Sequence, residues 1–202
     1  MGRQKIVVAS GNAGKLAEFR EMLEPRGMDV VPQSDFGVVP PPEIGRTFVE
    51  NALIKARAAC EAAGRPALAD DSGLVVRALA GRPGIHSARF AGDGADDDAN
   101  IDKLLAELEG LPAERRGAFF YCCLVLLKHA DDPAPLIATG RWYGYILESR
   151  RGTNGFGYDP VFHDPERGAS AAELPAGEKN RISHRGRALD KLVAMLDDLQ
   201  GM

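Results

Sequence analysis

Asp70 and Asp71 stand side by side between short apolar flanks, in the stretch Leu68-Ala69-Asp70-Asp71-Ser72-Gly73-Leu74-Val75-Val76. Neighbouring side chains of an extended chain point to opposite faces, so two acids share one surface only where the strand ends or bends. Gly73 permits such a bend. Charges set against apolar runs need paired charges, hydrogen bonds or a cation. Mg2+ takes carboxylate and phosphate oxygens and keeps several waters, so it would answer that need. An acidic surface turn between two strands accounts for the same residues.

A second chemical element is Ser10-Gly11-Asn12-Ala13-Gly14-Lys15, which follows an apolar run and opens a helix. A loop of this kind presents hydroxyl, amide and backbone N–H groups to phosphate at a helix N-terminus, with Lys15 as point charge. It is not a Walker A loop, because the GxxxxGK[ST] spacing is missing. A plain turn and helix cap would use much the same residues. Glu43, just after Pro40-Pro41-Pro42, can be held inward as a ligand or stand solvated. Glu50, Asn51 and Lys55 can face a ligand cleft or belong to a capped surface helix.

Two late stretches add further candidates. Gly152-Thr153-Asn154-Gly155-Phe156-Gly157-Tyr158-Asp159-Pro160 surrounds aromatic and acidic side chains with permissive glycines. Backbone there can approach a planar ligand while Phe156 or Tyr158 stacks on it, and a tight turn before a strand is the simpler reading. Glu178-Lys179-Asn180 and Ser183-His184-Arg185-Gly186 set cations and a histidine before the last helix. Arg185 offers a planar donor fork for a base carbonyl, and Lys179 suits phosphate or base.

The elements that must hold these groups can be read from periodicity. Lys5–Ala9 reads as a strand covered on both faces, followed by a helix from about Lys15 to Glu24 and a strand from Met28 to Val31. The stretch 36–44 is irregular because of its prolines. Thr47-Phe48-Val49-Glu50 has the form of a capping box, which predicts a helix from Phe48 to about Ala63. The acidic stretch then reads as a strand with a turn, and Arg77 to His86 as a structured loop. Arg89 can meet a phosphate or a carboxylate.

The acidic run Asp93, Asp96, Asp97 and Asp98 lacks EF-hand spacing and is expected to cap a helix carrying Ile101, Leu104, Leu105 and Leu108. Strands are predicted over Ala118–Leu127, Leu136–Thr139, Trp142–Ile146 and Val161–Phe162, with a final amphipathic helix over 186–199. Antiparallel strands beside strand–helix units give a mixed α/β sheet. Phe119, Phe120, Tyr121, Trp142, Tyr143 and Tyr145 are expected to be packing residues.

With 202 residues, 45% of them hydrophobic and 27% charged, the chain can fill a single globular domain over 1–202. A net charge of -4 opposes broad attraction to nucleic-acid backbones, yet leaves room for one polyanionic ligand in a locally basic pocket. Cys60, Cys122 and Cys123 lack zinc spacing and point to buried thiols in a reducing compartment. The start of the chain has only a short apolar run, so neither a secretory segment nor a membrane span is expected and the cytoplasm is the economical location. Gly2 has the position of a myristoylated glycine, but the polar residues and core strand after it favour a structural start.

Taken in order, Ser10 to Lys15, Thr47-Phe48-Val49-Glu50-Asn51-Ala52, Ala69-Asp70-Asp71-Ser72-Gly73-Leu74, Gly155 to Pro160 and Ser183 to Gly186 resemble the inosine/xanthosine triphosphate pyrophosphatase family. These HAM1-like enzymes act on noncanonical purine nucleoside triphosphates. The resemblance covers almost the whole chain. It implies an elongated mixed α/β sheet flanked by helices, two lobes around a nucleotide-binding cleft, and a homodimer. It further implies Mg2+ dependence and hydrolysis of ITP, dITP or XTP to monophosphate and pyrophosphate.

Matched residue by residue, the resemblance makes Asp71 the general base and a metal carboxylate, with Asp70 beside it and Glu43 as a further metal ligand or supporting acid. Ser10, Gly11, Asn12, Ala13, Gly14, Lys15, Lys55 and Ser72 match triphosphate-facing positions, and Lys15 and Lys55 are expected to stabilise charge during catalysis. Phe156, Gly157, Tyr158, Asp159, Lys179, His184 and Arg185 match the nucleobase and substrate pocket. Pro42 stands where a second acid often precedes the Glu43 position, and Asn154 where many relatives have a small residue.

An oxygen at purine C6 suits donors such as the Arg185 fork, whereas adenine carries an amino group there. Two other classes fit fewer of these features. A pyrophosphatase for other altered or pyrimidine nucleotides would differ in base preference, and a non-catalytic nucleotide binder would release no pyrophosphate. A nucleic-acid binder would need a basic stripe or docking module, and the sequence has neither.

Overall fold

The computed structural model describes residues 4–200, so Gly2 lies outside the described residues. Seven strands form one mixed sheet in the order β2-β1-β3-β4-β5-β6-β7. They are β1 (Gln4–Ala9), β2 (Met28–Pro32), β3 (Ala67–Val76), β4 (Gly117–Leu127), β5 (Leu136–Ile146), β6 (Phe162–Asp164) and β7 (Ala169–Ser170). The helices are α1 (Ala13–Leu23), α2 (Phe48–Ala63), α3 (Asp97–Glu107), α4 (Ala176–Ile182) and α5 (His184–Gln200). By contacts, the chain divides into two compact units.

The first unit comprises Met1–Asp71, Cys122–Gly140 and Arg185–Met202. Here β1 runs parallel to both β2 and β3, with Ile6 opposite Val30 and Val8 opposite Leu68. Ile6, Val8, Phe19, Leu23, Leu68, Leu124 and Leu189 share one core. The continuous apolar run of β1 reflects that burial on both faces. The expected capping box is present at α2. Thr47 Oγ1 accepts from the Glu50 N–H at 3.3 Å, and Glu50 Oε2 accepts from the Arg46 N–H at 2.8 Å. Gly64, at φ 58°, closes the helix in the left-handed conformation that favours glycine.

The second unit comprises Ser72–Tyr121 and Arg141–His184. Its core joins Leu74, Ile101, Leu104, Phe120, Trp142 and Phe162. Asp96 caps α3 by accepting from the Ala99 N–H at 2.8 Å, which confirms the capping role read for part of the acidic run. β6 lies antiparallel to β5 and to β7.

Three expectations differ from the observed chain. β3 continues without a turn through Asp70, Asp71, Ser72 and Gly73. Gly73 serves close approach instead, since a Cβ there would meet Gly84 O at 2.4 Å and Ser87 Oγ at 2.5 Å. The two strands expected on either side of Gly140 are one strand, because Ala138, Gly140 and Trp142 keep the same buried phase. Lys179 sits on a separate short helix, α4, and the last helix starts at His184, with Ser183 extended between them. Among the described residues, no helix is long and apolar enough to cross a membrane.

Candidate active site

In the first unit the loop after β1 is stitched by its own side chains. Ser10 Oγ accepts from the Asn12 N–H at 3.2 Å, and Asn12 Oδ1 accepts from the Lys15 N–H at 2.9 Å. Ser10 and Asn12 therefore act first as cap and turn residues. The first-turn amides of Ala13 and Gly14 remain at the helix N-terminus, where backbone donors and the helix dipole favour an anion. Gly11 has open space around it.

The pleat of β3 sends its two acids to different partners. Lys15 Nζ donates to Asp70 Oδ1 at 2.9 Å, and Arg185 Nε donates to Asp70 Oδ2 at 2.5 Å. Arg185 also pairs with Glu18 on α1. Cys122 Sγ lies 3.7 Å from Asp70 Oδ2. Lys55 Nζ donates to Asp71 Oδ1 at 2.6 Å and to Glu43 Oε1 at 3.1 Å. The irregular proline segment thus brings Glu43 inward onto α2's lysine.

Charge and burial act differently on the two acids. Burial alone would raise the pKa of Asp70, but Arg185 and Lys15 hold it well below the ordinary carboxylate range. Burial wins at Asp71 and leaves its pKa raised despite Lys55. Burial would lower the pKa of Lys55, yet Asp71 and Glu43 raise it and keep the ammonium charged. All three thiols are buried and free, and burial pushes Cys123 up to about 11.

Part of the donor set suits a divalent metal. Asp71 Oδ2 is buried with no hydrogen-bond partner among the described residues, an oxygen a cation would satisfy. Glu43 stands across the shared Lys55 ammonium. Asp70 has its two oxygens on Lys15 and Arg185. Among the described residues no group of three or more His, Cys, Asp or Glu side chains stands together as a metal cluster, and Asp71 and Glu43 are the two carboxylates that share Lys55. A magnesium ion that keeps waters and takes phosphate oxygens fits two carboxylates.

In the second unit Asp159 organises the aromatic loop. Its Oδ2 accepts from the Phe156 N–H at 2.9 Å and from Lys179 Nζ at 2.7 Å. Lys179 Nζ also lies 4.9 Å from the centroid of the Phe156 ring. A side chain at Gly155 would strike Asp159 Oδ2 at 2.0 Å, so only glycine permits this closure. Asp97 Oδ2 accepts from the Gly157 N–H at 2.7 Å. His184 stacks on Phe120, with ring centroids 4.8 Å apart and planes 14° from parallel. Ser72 is half-buried on β3.

Two further candidates are held by contacts within the protein. Tyr158 is a core residue whose hydroxyl donates to Ser87 O at 2.8 Å, while Phe156 is half-buried. Arg185 belongs to the first unit and turns Nε and one terminal nitrogen toward Asp70 and Glu18. Its fork pairs with these two protein carboxylates.

A profile of the Ham1 family matches residues 6–195. The chain belongs to the Ham1 family. Among curated Ham1-like relatives, a dITP/XTP pyrophosphatase of Methylococcus capsulatus is 55% identical over 199 residues, covering 98% of this chain and 99% of that protein. Another, from Halorhodospira halophila, is 59% identical over 190 residues, covering 94% and 95%. The solved HAM1 protein of Coxiella burnetii superposes with a TM-score of 0.89 at 49% identity, covering 96% of this chain and 99% of that one.

This Ham1 family chain also uses residues in ways their local sequence does not announce. Glu18 completes the Arg185 pairing, Asp97 holds the Gly157 amide, and Ser87 receives Tyr158 while its Oγ accepts from the Leu74 N–H at 2.9 Å. Glu18 and Asp97 look like ordinary acids of helix ends and faces. Only long-range pairing singles them out.

Proposed function

We propose that this protein hydrolyses deaminated purine nucleoside triphosphates, namely ITP, dITP and XTP, to the nucleoside monophosphate and pyrophosphate. The reading is supported above all by Asp71, a buried carboxylate with one oxygen on Lys55 and the other without a hydrogen bond among the described residues, in a Ham1 family chain. Relatives named as dITP/XTP pyrophosphatases match it over nearly their whole length.

In this mechanism a water attacks the α phosphorus. The new P–O bond forms as the bond to the β-phosphate bridging oxygen breaks, pyrophosphate leaves with that electron pair, and Asp71 takes the proton of the water. Lys15 and Lys55 neutralise charge on the phosphates and the leaving group. The Ala13 and Gly14 amides supply further donors. Glu43 and Asp71 would hold Mg2+, which when bound supplies positive charge and orientation to phosphate oxygens. Phe156, Lys179 and Asp159 are assigned to the base. The protein acts as a homodimer in the cytoplasm, a reducing compartment that suits three free thiols.

The test is a pyrophosphate-release panel with Mg2+ and ITP, dITP, XTP, GTP, ATP and dUTP, with nucleotide products identified. IMP or XMP with pyrophosphate, and little turnover of ATP and GTP, is the expected result. Orthophosphate with a nucleoside diphosphate, or preference for dUTP, overturns it.

A further inference from the structure

We propose that Asp70 is a positioning residue that fixes the Lys15 ammonium group in the phosphate-handling loop. The inference rests on the pyrophosphatase reading for what Lys15 does, and on geometry for how Lys15 is held. The Asp70 side chain is 0% exposed and Arg185 is 2% exposed, whereas Lys15 keeps 17% of its surface open. A lysine on an exposed first turn has four rotatable bonds and wanders among rotamers. Asp70 Oδ1, at 2.9 Å, removes that freedom while the lysine side chain keeps part of its surface exposed.

Arg185 is what makes the carboxylate dependable. Its guanidinium occupies Oδ2 and leaves Oδ1 facing Lys15. Arg185 is fastened in turn to Glu18, which lies three residues after Lys15 on α1. The chain of ion pairs Lys15–Asp70–Arg185–Glu18 therefore begins and ends on α1, passing through β3 and the start of α5. One turn of α1 is clamped at both its charged positions, and two cations balance two anions in the buried network.

A double-mutant cycle with Asp70→Asn and Lys15→Met tests this, read as kcat and KM for ITP with saturating Mg2+. Each single variant is expected to lose about 100-fold in kcat/KM, the scale of misplacing a catalytic contact by about 1 Å. The loss should divide between kcat and KM in the same way in both, and the double variant should be no worse than Lys15→Met. Losses that multiply in the double variant overturn the proposal. So does an Asp70→Asn variant with native kcat and KM and only a lower melting temperature, or one whose half-saturating Mg2+ rises in place of this pattern.

Asp70→Glu covers the case in which Asp70→Asn fails to fold. It keeps a charge against Arg185 and displaces the oxygen that faces Lys15, so the same kinetic split is expected and native kinetics overturn the proposal. Acylation of Lys15 by an amine-reactive ester, followed by mass spectrometry, reads the same contact without turnover. Lys15 should be modified severalfold faster in the Asp70 variants, and an unchanged rate overturns the proposal. If wild-type protein releases no pyrophosphate from ITP, the functional reading fails, while the acylation result still decides whether Asp70 holds Lys15.

Discussion

Lys55 Nζ lies 2.6 Å from Asp71 Oδ1, and the other oxygen, Oδ2, is buried without a hydrogen-bond partner among the described residues. The ammonium fixes one edge of the carboxylate, so Oδ2 is the edge presented for a water, a proton or a cation. Asp71→Asn keeps the shape and removes the base. Turnover of ITP should fall about 1,000-fold, within the usual range for loss of a general base. Far-ultraviolet circular dichroism should be unchanged. Retained turnover in a pyrophosphate-release assay would remove Asp71 from the chemistry.

Asp70 and Asp71 should give opposite signatures in a stability–pH experiment on metal-free protein. Burial opposes ionisation at both, but Arg185 and Lys15 carry Asp70 well below 3.8. Its contribution is therefore complete above the unfolded value and is lost as pH falls through the folded value. Asp71 stays above 3.8, so its contribution is complete below the unfolded value and is lost as pH rises through the folded one. Urea unfolding of wild type, Asp70→Asn and Asp71→Asn at pH 7 and pH 3 checks both. Acidification should narrow the advantage of wild type over Asp70→Asn and improve wild type relative to Asp71→Asn.

Gly73→Ala should destabilise the second unit without changing any charge. The added methyl meets Gly84 O at 2.4 Å and Ser87 Oγ at 2.5 Å, so the loop must shift. Overpacking of this kind costs about 1–3 kcal/mol. Because Ser87 O receives the Tyr158 hydroxyl, the aromatic loop should loosen as well. Urea unfolding gives the stability loss, and an increase in KM for ITP gives the second effect.

Phe156→Ala should raise KM for ITP about 10-fold with a smaller change in kcat. A base stacked on an aromatic ring is worth roughly 1–3 kcal/mol, and Phe156 is the half-buried aromatic of its loop. Tyr158→Phe should chiefly lower the melting temperature, because Tyr158 is a core residue hydrogen-bonded to Ser87. Steady-state kinetics with thermal melts separates the two positions.

Local rules carried the fold a long way. The capping box at Thr47 located α2, the uninterrupted apolar run gave β1, and the acidic residues before Ile101 announced the cap of α3. Gly140 misled because a glycine inside a strand resembles a boundary, whereas alternation of Ala138, Gly140 and Trp142 in one phase outweighed it. Seven residues of α4 were too few to show a helical period among the polar residues around Lys179. At the site, residue types were legible and partnerships were not. Nothing near Arg185 reveals that its partners are 115 and 167 residues earlier in the chain.

The unbroken course of β3 through both acids has a consequence for how this chain can vary. Asp70 and Asp71 differ in role only because successive residues of a strand face opposite ways. Inserting or deleting a single residue between Ala67 and Ala69 would exchange their orientations, bringing the acid meant for Lys55 toward Arg185 and Lys15. Every residue type needed for the reaction would still be encoded. The site should therefore accept many substitutions along Ala67–Ala69 that preserve size, yet reject any one-residue change in its length.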